Sequence, residues 1–176
     1  MRDFRLLKRP HFFDGKLLTA ADLEAEQDYH IDMLKRPNQS LHGFGVISGL
    51  KVTIESRQVV VEPGIALDCE GHEIVVGASQ LRDFASLVNL QTAYVSVRYV
   101  ERLVDPVPVG TGGEEHANVV EGFELTLVRD NCNRGHRHAR GRWIPCGRPH
   151  DLTIAKLRAT PRGWRVDRRY RPPAAK

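Results

Sequence analysis

Cysteine is scarce in this sequence. Only Cys69, Cys132 and Cys146 occur among its 176 residues, which is too few and too scattered for the disulfide framework of a small secreted domain. One pair could still form a bridge in an oxidising compartment. Most of the stability must therefore come from packing of apolar side chains.

Long apolar runs are also absent. No segment approaches the roughly 20 consecutive apolar residues that a membrane-spanning helix needs. Residues 1–10 carry five charged side chains and no long apolar segment follows them, so they do not match a secretory signal. We expect synthesis in the cytoplasm without a signal peptide.

The common sequence motifs of catalysis are missing as well. The chain has no phosphate-binding loop and no nucleophile with a matched base. Three acids, Asp68, Glu70 and Glu73, cluster near a predicted hairpin turn, where carboxylates more often support the turn than transfer protons. We expect no catalytic residues, no cofactor-binding residues and no small-molecule substrate, so the protein is predicted not to be an enzyme.

The composition is that of one folded domain covering residues 1–176. Hydrophobic residues make up 41% of the chain and charged residues 27%. The net charge of +4 hides a division, because residues 129–176 hold 14 Lys/Arg and three acids, a net charge of +11, whereas residues 1–128 have a net charge of −7. A basic segment can attract nucleic acid, or it can lie against an acidic surface of its own fold or of a neighbouring subunit. Apolar positions are mixed with the basic residues, which favours the second interpretation.

An entry segment and helix are predicted over residues 9–37. Thr19 is a suitable N-cap, and Asp22 completes a capping box with it. The residue pair Arg36-Pro37 is expected to end the helix. Phe12 and Phe13 are expected to anchor the entry segment, and one helix face is expected to be half-buried against the core: Leu23, Gln27, His30, Ile31 and Leu34.

Strand patterns dominate the main β region, residues 38–128. Gly43, Gly45 and Gly49 predict a tightly packed corner. Alternating residues and turn signals then predict two hairpins, 50–54 with 58–62 and 65–67 with 73–76, followed by a short helix at 79–87. A strand at 93–100, a loop at 105–117 and a further strand at 119–128 complete the region.

The rest of the chain is divided into a Cys/His/Arg-rich loop at 129–151, a final hairpin at 152–170 and a loose or extended tail at 171–176. The predicted fold class is α+β. We expect a mostly antiparallel sheet or small barrel of hairpins, with one N-terminal amphipathic helix packed on it.

The loop at residues 129–151 contains five side chains that could bind a metal. Cys132, His136, His138, Cys146 and His150 lie within 19 residues, and four of the five could form a tetrahedral zinc site that orders a loop without an apolar core. The spacing is not that of a standard zinc finger. A Cys132–Cys146 disulfide and a solvated basic loop are the alternatives.

The same loop offers a nucleic-acid hypothesis. Arginine side chains could contact phosphates while an aromatic ring stacks on a base, the candidates being Arg134, Arg137, Arg140, Arg142, Arg148 and Trp143. No recognised binding module surrounds them. A zinc-stabilised module that recognises nucleic acid or a polyanionic surface is therefore the alternative function.

Several motifs in residues 9–77 resemble a family of small proteins that accompany contractile phage tails and phage-tail-like contractile injection systems. These motifs are Phe12–Leu23 (FFDGKLLTAADL), Glu26–Tyr29 (EQDY), Leu41–Val46 (LHGFGV), Gly49–Val52 (GLKV), Val61–Asp68 (VEPGIALD) and Gly71–Ile74 (GHEI). The Cys/His-rich loop has no counterpart in the resemblance.

The resemblance implies a structural or assembly role at the baseplate or fibre-attachment end of a tail-like particle. Its expected partners are other baseplate or fibre subunits. Nucleic acid, membranes and small molecules are not expected partners. It carries over no catalytic residues. Subunit assembly also agrees with the opposite charges of the two parts of the chain.

Overall fold

The computed structural model describes residues 6–87, 89–110, 112–133 and 151–175. It confirms the α+β class: one N-terminal helix precedes a series of antiparallel strands. The helix is α1 (Ala20–Pro37), and a π-helical turn, Asn38–His42, follows it. The strands are β1 (Gly45–Gly49), β2 (Val52–Glu55), β3 (Gln58–Val61), β4 (Gly64–Leu67), β5 (Glu73–Val76), β6 (Gln80–Arg82), β7 (Thr92–Pro108), β8 (Glu114–Val128), β9 (Leu152–Thr160) and β10 (Gly163–Val166).

The described strands form three antiparallel sheets. Their orders are β1-β4-β5, β2-β3-β6 and β10-β9-β7-β8. Both hairpins predicted between residues 50 and 76 are present, as β2 with β3 and β4 with β5. They lie in different sheets, because β1 pairs with β4 while β6 pairs with β3.

One apolar core joins these sheets. Its largest fully buried side chains include Val59, Ile74, Val95, Leu152 and Leu157. They come from all three sheets, so burial of their apolar surface stabilises the arrangement of the sheets. The final hairpin predicted at 152–170 contributes β9 and β10 to this core.

The start of α1 is as predicted. The hydroxyl of Thr19 accepts a hydrogen bond from the backbone N–H of Asp22, and the Asp22 carboxylate accepts one from the backbone N–H of Thr19. Hydrogen bonds from Lys16 and Thr19 lower the pKa of Asp22 to about 2. The carboxylate is therefore ionised at neutral pH, which suits the positive end of the helix dipole.

The glycine corner is a place where backbones touch. Gly45 and Gly49 both have positive φ, and a β-carbon at Gly45 would lie 2.5 Å from the backbone of Pro173. Pro173 belongs to the predicted tail, which is extended and pairs with β1: Val46 donates its N–H to the Pro173 carbonyl over 2.8 Å. The corner therefore holds residues 173–175 beside β1.

Two sequence predictions in the β region are wrong. Residues 79–87 were expected to be a short helix, but they form β6 followed by a 3-10 turn at Ala85–Leu87. Residues 105–117 were expected to be a loop, but the β7–β8 ladder continues to Pro108 opposite Glu114. Proline lacks an N–H and is tolerated at an open strand edge. Because β9 pairs with β7 only as far as Val97, the part of β7 that contains Pro106 and Pro108 has such an open edge.

The corner yields a prediction about stability. The Gly49→Ala substitution should lower the free energy of unfolding by about 2 kcal/mol or more, because the added β-carbon would lie 2.1 Å from the Pro63 carbonyl oxygen at a φ of +63°. Urea denaturation of the full chain measures this change.

Gly77→Ala is the matched control. A β-carbon at Gly77 would meet nothing within 4 Å, so this variant should unfold within about 0.5 kcal/mol of the unmodified chain. Equal stabilities for the two variants would contradict the close backbone contact at Gly49.

Candidate assembly interface

The turn between β4 and β5 is fixed by the carboxylate of Asp68. Its Oδ1 accepts hydrogen bonds from the backbone N–H groups of Glu70 and His72, over 2.8 and 2.9 Å, and its Oδ2 lies 2.8 Å from Nδ1 of His72. The imidazole of His72 stacks on the ring of Tyr99 at a centroid distance of 4.2 Å. Asp68 is buried, and the hydrogen bonds within the turn satisfy both oxygens of its carboxylate. The stacking of His72 on Tyr99 holds the turn against β7.

This turn attaches the end of α1 to the sheets. The side-chain amide of Asn38 donates to the Gly71 carbonyl over 2.9 Å, and that of Gln39 donates to the Glu70 carbonyl over 2.6 Å. A β-carbon at Gly71 would lie 2.5 Å from the Lys35 carbonyl oxygen, so the turn and the helix also touch directly. These contacts determine where the helix lies. Sequence reasoning identified neither amide.

The side of α1 that was expected to be half-buried is instead exposed. Leu23, Ile31 and Leu34 lie on one side of the helix by spacing, and we call them the apolar face. Leu23 is 55% and Leu34 70% exposed, and α1 contains no buried residue. The predicted burial against this chain's own core is wrong, since the helix is attached at its C-terminal end and the described sheets do not cover this face.

The entry segment adds further exposed apolar side chains. Phe12 and Phe13 were predicted to anchor it, but both are exposed, and so are Leu17 and Leu18 just before the helix. Soluble proteins seldom leave many large apolar side chains uncovered along one short stretch. The entry segment and the apolar face are therefore the best candidates for a protein-protein interface.

The helix that carries the apolar face is acidic. It contains five acids and two bases, a net charge of −3. Glu24 and Asp28 are exposed and near the apolar face in sequence. A partner surface that fits this helix is an apolar groove with a basic rim, because opposite potentials guide association and reject like-charged partners.

The predicted metal loop begins at a well-anchored position. The backbone N–H of Cys132 donates to the Thr153 hydroxyl over 3.0 Å. The Asn133 side chain donates to the Thr153 carbonyl and to the hydroxyl of Tyr170 and accepts from the Thr153 N–H. The loop is thus tied to β9 where it leaves the sheet.

Most of the predicted metal-binding and nucleic-acid-binding side chains of that loop fall outside the described ranges. His136, His138, Cys146 and His150 lie outside the described residues, and so do the proposed Cys132–Cys146 bridge and the nucleic-acid candidates Arg134, Arg137, Arg140, Arg142, Trp143 and Arg148. Across the described ranges, no three His, Cys, Asp or Glu side chains form a group that could hold a metal ion. The zinc site stays a prediction.

Within the part of the chain that the structure describes, no helix combines the length and the apolar character that crossing a membrane requires.

Comparison with known proteins identifies the fold. No family model matches the sequence, and no curated protein matches it. Solved structures do match. A chain of the type VI secretion system TssK-TssF-TssG baseplate subcomplex, determined by cryo-electron microscopy, is similar with a TM-score of 0.59 and 14% identity over 96% of this chain and 62% of that chain.

Two further structures are similar. A chain of the baseplate complex from the type VI secretion system gives a TM-score of 0.57 and 14% identity, covering 94% of this chain and 41% of that one. The crystal structure of TssK gives a TM-score of 0.55 and 10% identity, covering 96% of this chain and 42% of that one. This chain thus shares a fold with proteins of a contractile injection baseplate and spans only part of their length.

The attachment of α1 can be tested by removing both amides. In the variant N38A/Q39A we expect backbone amide hydrogen exchange in α1 to accelerate at least about fivefold, because the two lost hydrogen bonds together contribute roughly 1–3 kcal/mol. Exchange in β7 and β9 should not change, since the hydrogen bonds of the two amides run to the turn between β4 and β5.

The control is Ser40→Ala. The Ser40 hydroxyl donates to the Arg36 carbonyl over 2.7 Å, so this substitution removes a hydrogen bond within the helical segment and leaves the turn contacts intact. If S40A accelerates exchange in α1 as much as N38A/Q39A does, the two amides do not hold the helix in place.

Proposed function

We propose that this protein is a structural subunit of the baseplate of a contractile injection system. The observation that carries the proposal is the fold shared with type VI secretion baseplate proteins over 94 to 96% of this chain. The motifs of residues 9–77 extend the proposal to a phage-tail-like particle, with the subunit at or near the baseplate or the fibre-attachment region.

In this proposal the protein works by presenting a surface. The packed sheets form a platform, the Asp68 turn attaches α1 to it, and the helix offers its apolar face to a neighbouring subunit. Full burial of one leucine side chain is worth about 1.5–3 kcal/mol. Leu23 is 55% and Leu34 70% exposed, so burying the rest of both side chains would contribute about 2–4 kcal/mol. This changes the dissociation constant by roughly one to two and a half orders of magnitude, since 1.4 kcal/mol is a factor of ten.

The proposed role requires no chemical step. Both carboxylate oxygens of Asp68 are occupied by hydrogen bonds inside the turn, and His72 is bound to Asp68 and stacked on Tyr99. A structural function for the acids near this turn accounts for these contacts. The role also requires no cofactor, although a structural zinc ion held by four of the five Cys/His side chains would order the loop after Cys132.

The partner in this proposal is another protein subunit of the same assembly. It contributes an apolar groove with basic residues at its edge, which complements the acidic helix. The subunit is incorporated into the particle through that contact.

The proposal is tested on the native particle. A tagged chain should be recovered with the purified particle, and the variant L23D/L34D should reduce its recovery at least tenfold, because two carboxylates would be buried in an apolar contact. Quantitative mass spectrometry of the particles measures the recovery.

Leu81→Asp provides the matched control. Leu81 is 53% exposed on β6, close to the value for Leu23, but it does not belong to the apolar face. This variant should be recovered at the level of the unmodified chain, and both variants should keep its urea midpoint. Particles that never contain the chain would contradict the proposed function, whereas particles that retain L23D/L34D would contradict the role of the helix.

A further inference from the structure

The distal part of the β7–β8 hairpin extends beyond the rest of the fold. We call residues 101–121 the arm. β9 pairs with β7 only up to Val97, and beyond Tyr99, where His72 stacks, the described ladder joins β7 and β8 only to each other. Eight residues of each strand project by about 25 Å. A two-stranded ribbon alone is only marginally stable in water, so the arm is a structure that gains from a partner.

The arm is acidic and partly apolar. It holds five acids and one arginine, a net charge of −4. Leu103 and Val119 face each other across the ladder and are 64% and 55% exposed. Glu101 also pairs directly with Glu121, and like charges in opposing positions destabilise a ladder.

Among the described residues, a neutral hydroxyl is the hydrogen-bond donor beside these two carboxylates. The Tyr99 hydroxyl donates to Glu101 over 2.8 Å. Burial and the hydrogen bonds to Glu101 and Glu121 raise the pKa of Tyr99, so the hydroxyl keeps its proton. A neutral hydroxyl does not cancel two negative charges, so an external cationic side chain would stabilise the arm.

The opposite edge of the same sheet is basic. Residues 161–171 hold five arginines and one acid, a net charge of +4. We call the exposed side chains Arg162, Arg165, Arg168, Arg169 and Arg171 the arginine edge. The one acid, Asp167, is already bonded to Arg158 over 2.8 Å. Among the described residues no carboxylate forms an ion pair with Arg162, Arg165 or Arg168.

The arm and the arginine edge cannot neutralise each other within one molecule. The strand order β10-β9-β7-β8 places two strands between β10, which carries Arg165, and β8, a distance of about 14 Å across the sheet. Residues 168–171 follow β10, and Tyr170 contacts Tyr94 at the start of β7, the end away from the arm. In a second copy, the same arginines are free to meet the arm. Their aliphatic stems and half-buried Trp164 offer apolar surface to Leu103 and Val119.

We propose that the arm of one copy docks on the arginine edge of a second copy of this chain. The contact joins unlike surfaces, so an open chain of copies keeps one free arm at one end and one free arginine edge at the other until a ring closes. This self-association goes beyond the proposed function and does not use the apolar face of α1.

Charge reversal on each side of the contact provides the test. The full chain is examined by size-exclusion chromatography with light scattering at about 50 mM and about 500 mM salt, because screening weakens exposed ion pairs. We expect oligomers at low salt and a smaller species at high salt. The variants E114K/E115K and R162E/R165E should each raise the dissociation constant at least tenfold.

Mixing the two variants should restore association. The unmodified arm of R162E/R165E meets the unmodified arginines of E114K/E115K, and the two reversed surfaces also attract each other. The control is E55K/E73K, which changes the net charge of the chain as much as E114K/E115K does but lies at exposed positions on β2 and β5. It should associate like the unmodified chain.

Three results would overturn the proposal. The first is a chain that remains monomeric at low salt up to a concentration of about 100 µM, which corresponds to a binding free energy weaker than about −5.5 kcal/mol. The second is association that E114K/E115K does not weaken. The third is an oligomer that contains nucleic acid by its ultraviolet absorbance ratio and is lost only in R162E/R165E, which would assign the arginine edge to a polyanion instead.

Discussion

The carboxylate of Asp68 determines how the C-terminal end of α1 is attached to the sheets. It fixes the turn that presents the carbonyls of Glu70 and Gly71 to Asn38 and Gln39. A buried carboxylate is tolerated there because backbone N–H groups and His72 satisfy its oxygens. The helix is held by this turn and not by burial of its own apolar residues, so its apolar face remains available.

The surfaces left uncovered differ in chemistry. The apolar face of α1 is rich in leucine, the arm is acidic with a few aliphatic side chains, and the arginine edge is basic. Apolar burial provides affinity, and charge complementarity provides the choice of partner and its orientation. A subunit with three such surfaces on a well-packed core is suited to contacts with more than one neighbour.

Local features were predictable from the sequence. The capping box involves residues three apart, the hairpins follow alternating residues and short turns, and the glycine corner depends on the one residue type that tolerates backbone contact. The α+β class follows from these elements.

Non-local features were not predictable in the same way. Which sheet each hairpin joins depends on β1 and β6, and the contact of Asn38 with Gly71 spans 33 residues. The amphipathic pattern of α1 indicated correctly that one face is apolar, but a pattern cannot distinguish coverage by the same chain from coverage by another. Pro106 and Pro108 predicted a loop, because a strand tolerates proline only at an open edge. Only the sheet order reveals that this part of β7 has an open edge.

The pairing of β1 with residues 173–175 affects the order in which the protein folds during synthesis. Val46 is made early, whereas Pro173 and Ala175, which complete its hydrogen bonds, leave the ribosome after β9 and β10. Until then the outer edge of β1 is open, and an open strand edge is a site of mispairing between nascent chains. The glycine corner is therefore completed only after all ten described strands have been synthesised, when residues 173–175 pair with β1.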